Sequence, residues 1–132
     1  MGQDCKKFVL VSSLPEELTA LSAVCSGSMV EIESCGFQCA EKAVNHIRNN
    51  KTDGIITDLI LPDMTGVQLL YKLKSDLLNI HPFILCSGSN HGFYPIIHSL
   101  TDTGDIDLVV GKPKYESIVR FLHGHYGTTG LQ

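Results

Sequence analysis

The sequence predicts an α/β domain, an open doubly wound sheet of five parallel strands alternating with five helices, written (βα)5. Three observations carry this. Four short runs are continuously apolar, as strands covered on both faces must be. Segments with apolar residues three and four positions apart separate them, which is the spacing of amphipathic helices. The 132 residues suit a single core, since one domain commonly takes roughly 100–150 residues. Strands that alternate with helices make right-handed βαβ units and hence a parallel sheet.

In order, residues 8–11 form the first apolar run, followed by a helix carrying Leu14, Leu18, Leu21 and Cys25 on one face. Ser13-x-x-Glu16, with Pro15 in the first turn, has the form of a capping box that starts this helix. Residues 29–33 (Met-Val-Glu-Ile-Glu) alternate in polarity and suit an edge strand. The second helix gathers Ala40, Ala43, Val44 and Ile47. Residues 54–57 are the third strand, and Leu69, Leu70, Leu73 and Leu77 mark the third helix. Residues 82–86 are the fourth strand, 94–100 a shorter helix, and 108–110 the fifth strand. Tyr115, Ile118, Val119 and Leu122 line the last helix. The domain is expected over residues 6–126, with 127–132 a loose tail.

Composition narrows the function. Ten Lys and Arg stand against 14 Asp and Glu, a net charge of −4, and no basic stripe favours nucleic acid. Apolar runs stop far short of the roughly 20 residues that span a bilayer, so no membrane partner is expected and a cytoplasmic location is the default. The five cysteines, odd in number, read as reduced thiols rather than a disulfide framework. Cys35-x3-Cys39 would need two more ligands to hold a metal, and His123-Gly-His125 completes no recognised spacing.

Ligands of such sheets collect beyond the carboxyl ends of the strands. The residues found there are Ser12, Ser13, Asp58, Ser87 and Lys112. Asp58 is followed by Leu-Ile-Leu-Pro62-Asp-Met64-Thr-Gly66, Ser87 follows the fourth run, and Lys112-Pro113 follows the fifth. Alone, an Asp after a strand is a turn former and a Ser before a helix is an N-cap. At three successive strand ends, in this order, they resemble the receiver domain of response regulators, a CheY-like fold within the flavodoxin-like class. The resemblance spans about residues 6–126.

It implies that Asp58 accepts a phosphoryl group, that the Ser87 hydroxyl acts as the switch residue, and that Lys112 binds a phosphoryl oxygen. The Lys-Pro peptide bond is often cis in such domains. The partners implied are a histidine kinase or phosphotransfer protein and a downstream protein, with a homodimer as a further option. The chain is then a signalling module rather than an enzyme.

Two departures qualify this. Receivers carry two acidic residues after the first strand, which bind Mg²⁺ with the phosphoacceptor and a backbone carbonyl two residues beyond it. Here Ser12 and Ser13 stand instead, Glu16 and Glu17 lie a turn further on, and only Asp58 and the Ile60 carbonyl remain. Neutral hydroxyls cannot balance a divalent ion, so weak Mg²⁺ binding is expected, with Lys112 pairing directly with Asp58. Val109 also stands where an aromatic switch residue is usual, with Phe93 or Tyr94 as substitutes. The alternative function is a pseudo-receiver, a protein-interaction module that works without phosphorylation. An aspartate-nucleophile phosphatase would need a second Asp two residues after Asp58, where Ile60 stands.

Overall fold

The computed structural model of the chain describes residues 5–88 and 94–127. Strands β1 (Lys6–Val11), β2 (Ile32–Phe37), β3 (Gly54–Asp58), β4 (Phe83–Ser87) and β5 (Leu108–Gly111) alternate with helices α1 (Pro15–Ser26), α2 (Ala40–Asn49), α3 (Gly66–Ser75), α4 (Tyr94–Asp102) and α5 (Glu116–Leu122). A turn of π-helix, His123–Gly127, extends α5. The strands form one sheet in the order β2-β1-β3-β4-β5, every neighbouring pair parallel. This is the doubly wound (βα)5 sheet that the alternation of runs predicts.

The continuous apolar runs are explained by two cores, one on each face of the sheet. Val9, Val11, Ile55, Phe83 and Leu85 face α2 and α3 with Ala40, Val44, Ile47, Leu69 and Leu73. Phe8, Leu10, Ile56, Ile84 and Val110 face the other way, against Leu21, Cys25, Ile118 and Leu122 of α1 and α5. Every residue of β3 and β4 is buried. Successive side chains point to opposite faces, so a strand that feeds two cores has no polar side to show.

Three predicted features shift. The edge strand lies at residues 32–37 rather than 29–33, because α1 closes late. The Ser28 hydroxyl donates to the Cys25 carbonyl at 2.7 Å, and Met29 turns the chain with φ 64°. Pairing with β1 begins only at Ile32, opposite Lys6. The strand then presents Ser34 and Gly36 to α1, where the Ser34 and Ser22 hydroxyls lie 3.2 Å apart and Leu18 packs over Gly36. Beyond Ile32, which packs against the core on that side, this face is made of small residues, which the polarity pattern does not reveal.

The capping box at Ser13 does not form. Pro15 takes the first helical position and puts the N-cap at Leu14, which has no side-chain cap, and Leu14 lies outside the helix and is exposed. A capping box is found instead at α3, where the Thr65 hydroxyl accepts from the Gln68 N–H at 3.1 Å and the Gln68 side chain accepts from the Thr65 N–H at 2.8 Å.

Leu77 does not lie on the α3 face. It stands beyond the helix end at φ 60° and is 91% exposed. The Leu77 N–H donates to the Lys74 carbonyl and the Leu78 N–H to the Leu73 carbonyl, the paired bonds of a Schellman motif, with Leu78 supplying the hydrophobic contact.

Two stability tests arise from these contacts. A left-handed conformation costs a branched side chain about 1–2 kcal/mol, partly offset by the chain entropy glycine loses on folding. Leu77→Gly is expected to raise unfolding stability by about 0.5–1 kcal/mol, measured by urea denaturation. Gly66 is the opposite case, since a Cβ there would meet the Asp58 carbonyl oxygen and Leu85 at 2.7 Å. Gly66→Ala is expected to cost about 1–3 kcal/mol in the same assay, because a backbone atom cannot give way as a side chain can.

Candidate functional site

The carboxyl ends of β1, β3, β4 and β5 meet at one edge of the sheet. There β3 delivers Asp58, 7% exposed, at the last position of a fully buried strand. The turn that follows is held on both sides: the Leu59 N–H donates to the Cys86 carbonyl at 2.8 Å and the Gly66 N–H to the Leu59 carbonyl at 2.7 Å. Ile60, two residues past Asp58, bridges to Thr65 across the loop. Asp63, further along it, accepts from the Ala40 and Glu41 N–H groups at 3.0 and 2.9 Å. Burial disfavours its charge, but these backbone bonds prevail and hold the carboxyl below the usual range. The loop after Asp58 thus caps α2, whose own N-cap, Cys39, makes no side-chain bond.

Lys112 comes from the end of β5. Its N–H donates to the Ser87 carbonyl at 2.9 Å, and the following bond to Pro113 is cis. The ammonium donates to Asp58 Oδ2 at 3.0 Å, the direct pairing expected from the loss of the acidic pair. Ser87 is buried at the end of β4, and its hydroxyl donates to the Gly88 carbonyl at 3.1 Å.

Glu17 is the residue that sequence reasoning missed. The expectation that no carboxylate stands near the lost acidic pair is incorrect: Glu17 Oε2 accepts from the Lys112 ammonium at 3.1 Å. Glu17 is the third residue of α1, and helical side chains lean back toward the N-terminus. Its carboxylate therefore returns to the strand edge that the chain has just left. The sequence signal was Pro15, which fixes the helix start and so the direction of every side chain in that turn.

Ser12, fully buried, accepts from the Leu14 N–H at 3.2 Å and donates to Glu17 Oε1 at 2.7 Å. Ser13 is only partly buried, and its carbonyl accepts from the Gln38 side chain at 3.2 Å. The two serines differ: Ser12 faces the site, whereas the contact recorded for Ser13 is through its backbone.

Burial opposes the charge on Glu17, but its bonds to Ser12 and Lys112 outweigh it and hold the carboxyl below its ordinary value. Burial likewise opposes the charge on Lys112, and the bonds to Asp58 and Glu17 raise it above the ordinary lysine value. Cys86, beside Asp58 in sequence register, is pushed up to about 12 by burial and by the neighbouring Asp58 charge. It is a packed thiol, not a nucleophile.

Mg²⁺ is a hard cation that takes oxygen ligands. Both hydrogen bonds of the Lys112 ammonium go to carboxylate oxygens, Glu17 Oε2 and Asp58 Oδ2, so that ammonium stands at the meeting point of two carboxylates. The donor chemistry therefore fits a hard cation, with one carboxylate fewer than an acidic pair plus Asp58 would supply. Among the described residues no group of three or more His, Cys, Asp and Glu gathers to hold a metal. Val109 is 40% exposed on β5, and beside it lies a largely apolar groove of about 430 Å³ against Ile97, His98 and Thr101 of α4. Phe93 lies outside the described residues, as does the Tyr94 side chain.

The same sheet order with the same alternation recurs in solved structures. The signal receiver domain of an HD domain-containing protein from Pseudomonas fluorescens Pf-5 is 19% identical and superposes with a TM-score of 0.77, over 98% of this chain and 100% of that one. It has the receiver fold. A response regulator receiver domain protein from Clostridium thermocellum is 16% identical, with a TM-score of 0.74 over 96% of this chain and 98% of that one. The phosphorylated cyanobacterial phytochrome response regulator RcpA is 23% identical, with a TM-score of 0.69 over 92% and 91%. No family model matches the sequence, and no curated protein matches it. At such identities the likeness lies in the receiver backbone.

The Glu17 contacts set a pH dependence. A carboxyl held below its unfolded value stabilises the fold above that value, and the contribution is lost as pH falls through the folded one. Glu17→Gln is expected to lower the unfolding temperature at pH 7. The difference from wild type should narrow as the pH drops below the ordinary 4.5 and vanish once both carboxyl forms are protonated, as read by thermal unfolding across pH 7 to 3.

Proposed function

We propose that the chain is a receiver of a two-component phosphorelay, in which Asp58 accepts a phosphoryl group from a histidine kinase or phosphotransfer protein. The observation that carries this is the Lys112 ammonium 3.0 Å from Asp58 Oδ2 at the carboxyl edge of a receiver sheet. An Asp58 oxygen attacks phosphorus, and the bond from phosphorus to the imidazole nitrogen of the donor breaks. The transfer asks the protein for positioning and for charge balance rather than for covalent chemistry. Lys112 supplies a point charge to one phosphoryl oxygen, and the Ser87 hydroxyl, turning from the Gly88 carbonyl, donates to another. A hard divalent cation held by Asp58 and the Ile60 carbonyl would neutralise phosphoryl charge, weakly because Ser12 and Ser13 carry none.

In this reading the chain acts by changing its contacts with a downstream protein or a second copy of itself, in the cytoplasm, and without turning over a substrate. The second reading is a pseudo-receiver that binds its partner without phosphorylation. What favours it is that Lys112 is already satisfied by two carboxylates and that β5 offers Val109 in place of an aromatic residue.

Incubation with acetyl phosphate and Mg²⁺, followed by intact mass, separates the two. One added phosphoryl group per chain is expected, absent in Asp58→Asn and reduced about 100-fold or more in rate in Lys112→Ala, comparable with the loss of one charge-stabilising group in other sites. No mass shift in wild type, under conditions that label an ordinary receiver, would establish the pseudo-receiver.

A further inference from the structure

The second carboxylate of the site comes from a helix and not from a strand. Glu17 divides its two oxygens: Oε1 accepts the Ser12 hydroxyl at 2.7 Å, and Oε2 accepts the Lys112 ammonium at 3.1 Å. Ser12 is fully buried, so its hydroxyl fixes the direction of that carboxylate. A residue that first reads as the loss of a ligand is thus the support of another one.

The Lys112 ammonium is almost equally far from Glu17 and from Asp58. A cation is therefore already seated where the two carboxylates converge. We propose that Glu17 is a ligand of a hard divalent cation of the Mg²⁺ or Mn²⁺ class, shared with Asp58, taking from α1 the part that an acidic pair on β1 would play.

Charge and donor type both support this. Two carboxylates against one ammonium leave one negative charge, and a divalent cation turns this into one positive charge, which suits an incoming phosphoryl group. Glu17, Ser12 and Asp58 offer only oxygen, as such ions require. Lys112 is no barrier, because its charge rides on a flexible four-carbon stem. It can leave Glu17 while keeping Asp58. Ligation by a residue oriented through a buried hydroxyl also follows the usual build of a metal site, in which an outer partner fixes the ligand.

The inference rests on the receiver reading for the placing of the cation, but not on phosphorylation itself. Its test uses the full chain and MnCl2 with no phosphodonor, following free Mn²⁺ by electron paramagnetic resonance and heat by calorimetry. Wild type is expected to bind one ion per chain. Glu17→Gln and Asp58→Asn should each weaken binding by about tenfold or more, and Lys112→Met should tighten it by removing the competing cation. Glu17→Asp, which keeps the charge but withdraws it by one methylene, should fall between wild type and Glu17→Gln, and circular dichroism checks that each variant is folded. Wild-type affinity in Glu17→Gln with loss in Asp58→Asn overturns the assignment, as does absence of Mn²⁺ binding by wild type at tens of millimolar. Should Mn²⁺ bind through Glu17 while acetyl phosphate fails to label Asp58, the cation site stands and phosphoryl acceptance alone fails.

Discussion

The ammonium of Lys112 ties together parts of the chain that are remote in sequence. It reaches Asp58 across 54 positions and Glu17 across 95, joining β5, β3 and α1 at one edge of the sheet. Burial opposes the charge on Glu17 and on Lys112, and the bonds that join them outweigh it. A partly buried lysine needs anions, and a carboxylate at the end of a fully buried strand needs a cation or donors, because removing charge from water costs far more than one hydrogen bond returns. The rest of the fold sets the strand ends side by side so that this exchange can take place.

That placement follows from the two-sided core. Strands β3 and β4 run through both hydrophobic layers with no exposed position, so apart from Thr57, which is fully buried, their polar side chains come at the last position. Asp58 and Ser87 appear where the apolar runs stop, in adjacent strands held in parallel register. The same register places Ser87 opposite Gly111, one residue before Lys112. A site of this kind is the consequence of ending three strands at one level.

Most of the fold was legible in the sequence because burial on two faces leaves an unmistakable apolar run. The second helix was read correctly residue by residue: Ala40, Ala43, Val44 and Ile47 are all buried. What misled was local closure. Residues 29–33 alternate in polarity, yet 29–31 only turn the chain, since Met29 is left-handed, and just Ile32 and Glu33 belong to β2. Leu77 fits a helical period but falls after a Schellman turn. In the site, Asp58, Ser87 and Lys112 were visible as strand-end residues. Glu17 was not, because its role depends on where α1 begins and on a side chain pointing backward, neither of which periodicity encodes.

The bond between Asp63 and the first turn of α2 carries a consequence for how this sequence can change over time. Cys39 leaves the N–H groups of Ala40 and Glu41 to be satisfied by a residue more than twenty positions away. Substitutions at 39 and 63 are therefore not independent. A serine or aspartate arising at 39 would free position 63 to drift, whereas loss of the acid at 63 alone would orphan two donors and loosen the loop beside Asp58. Among descendants of this chain the two positions should vary together, although neither takes part in the chemistry between them.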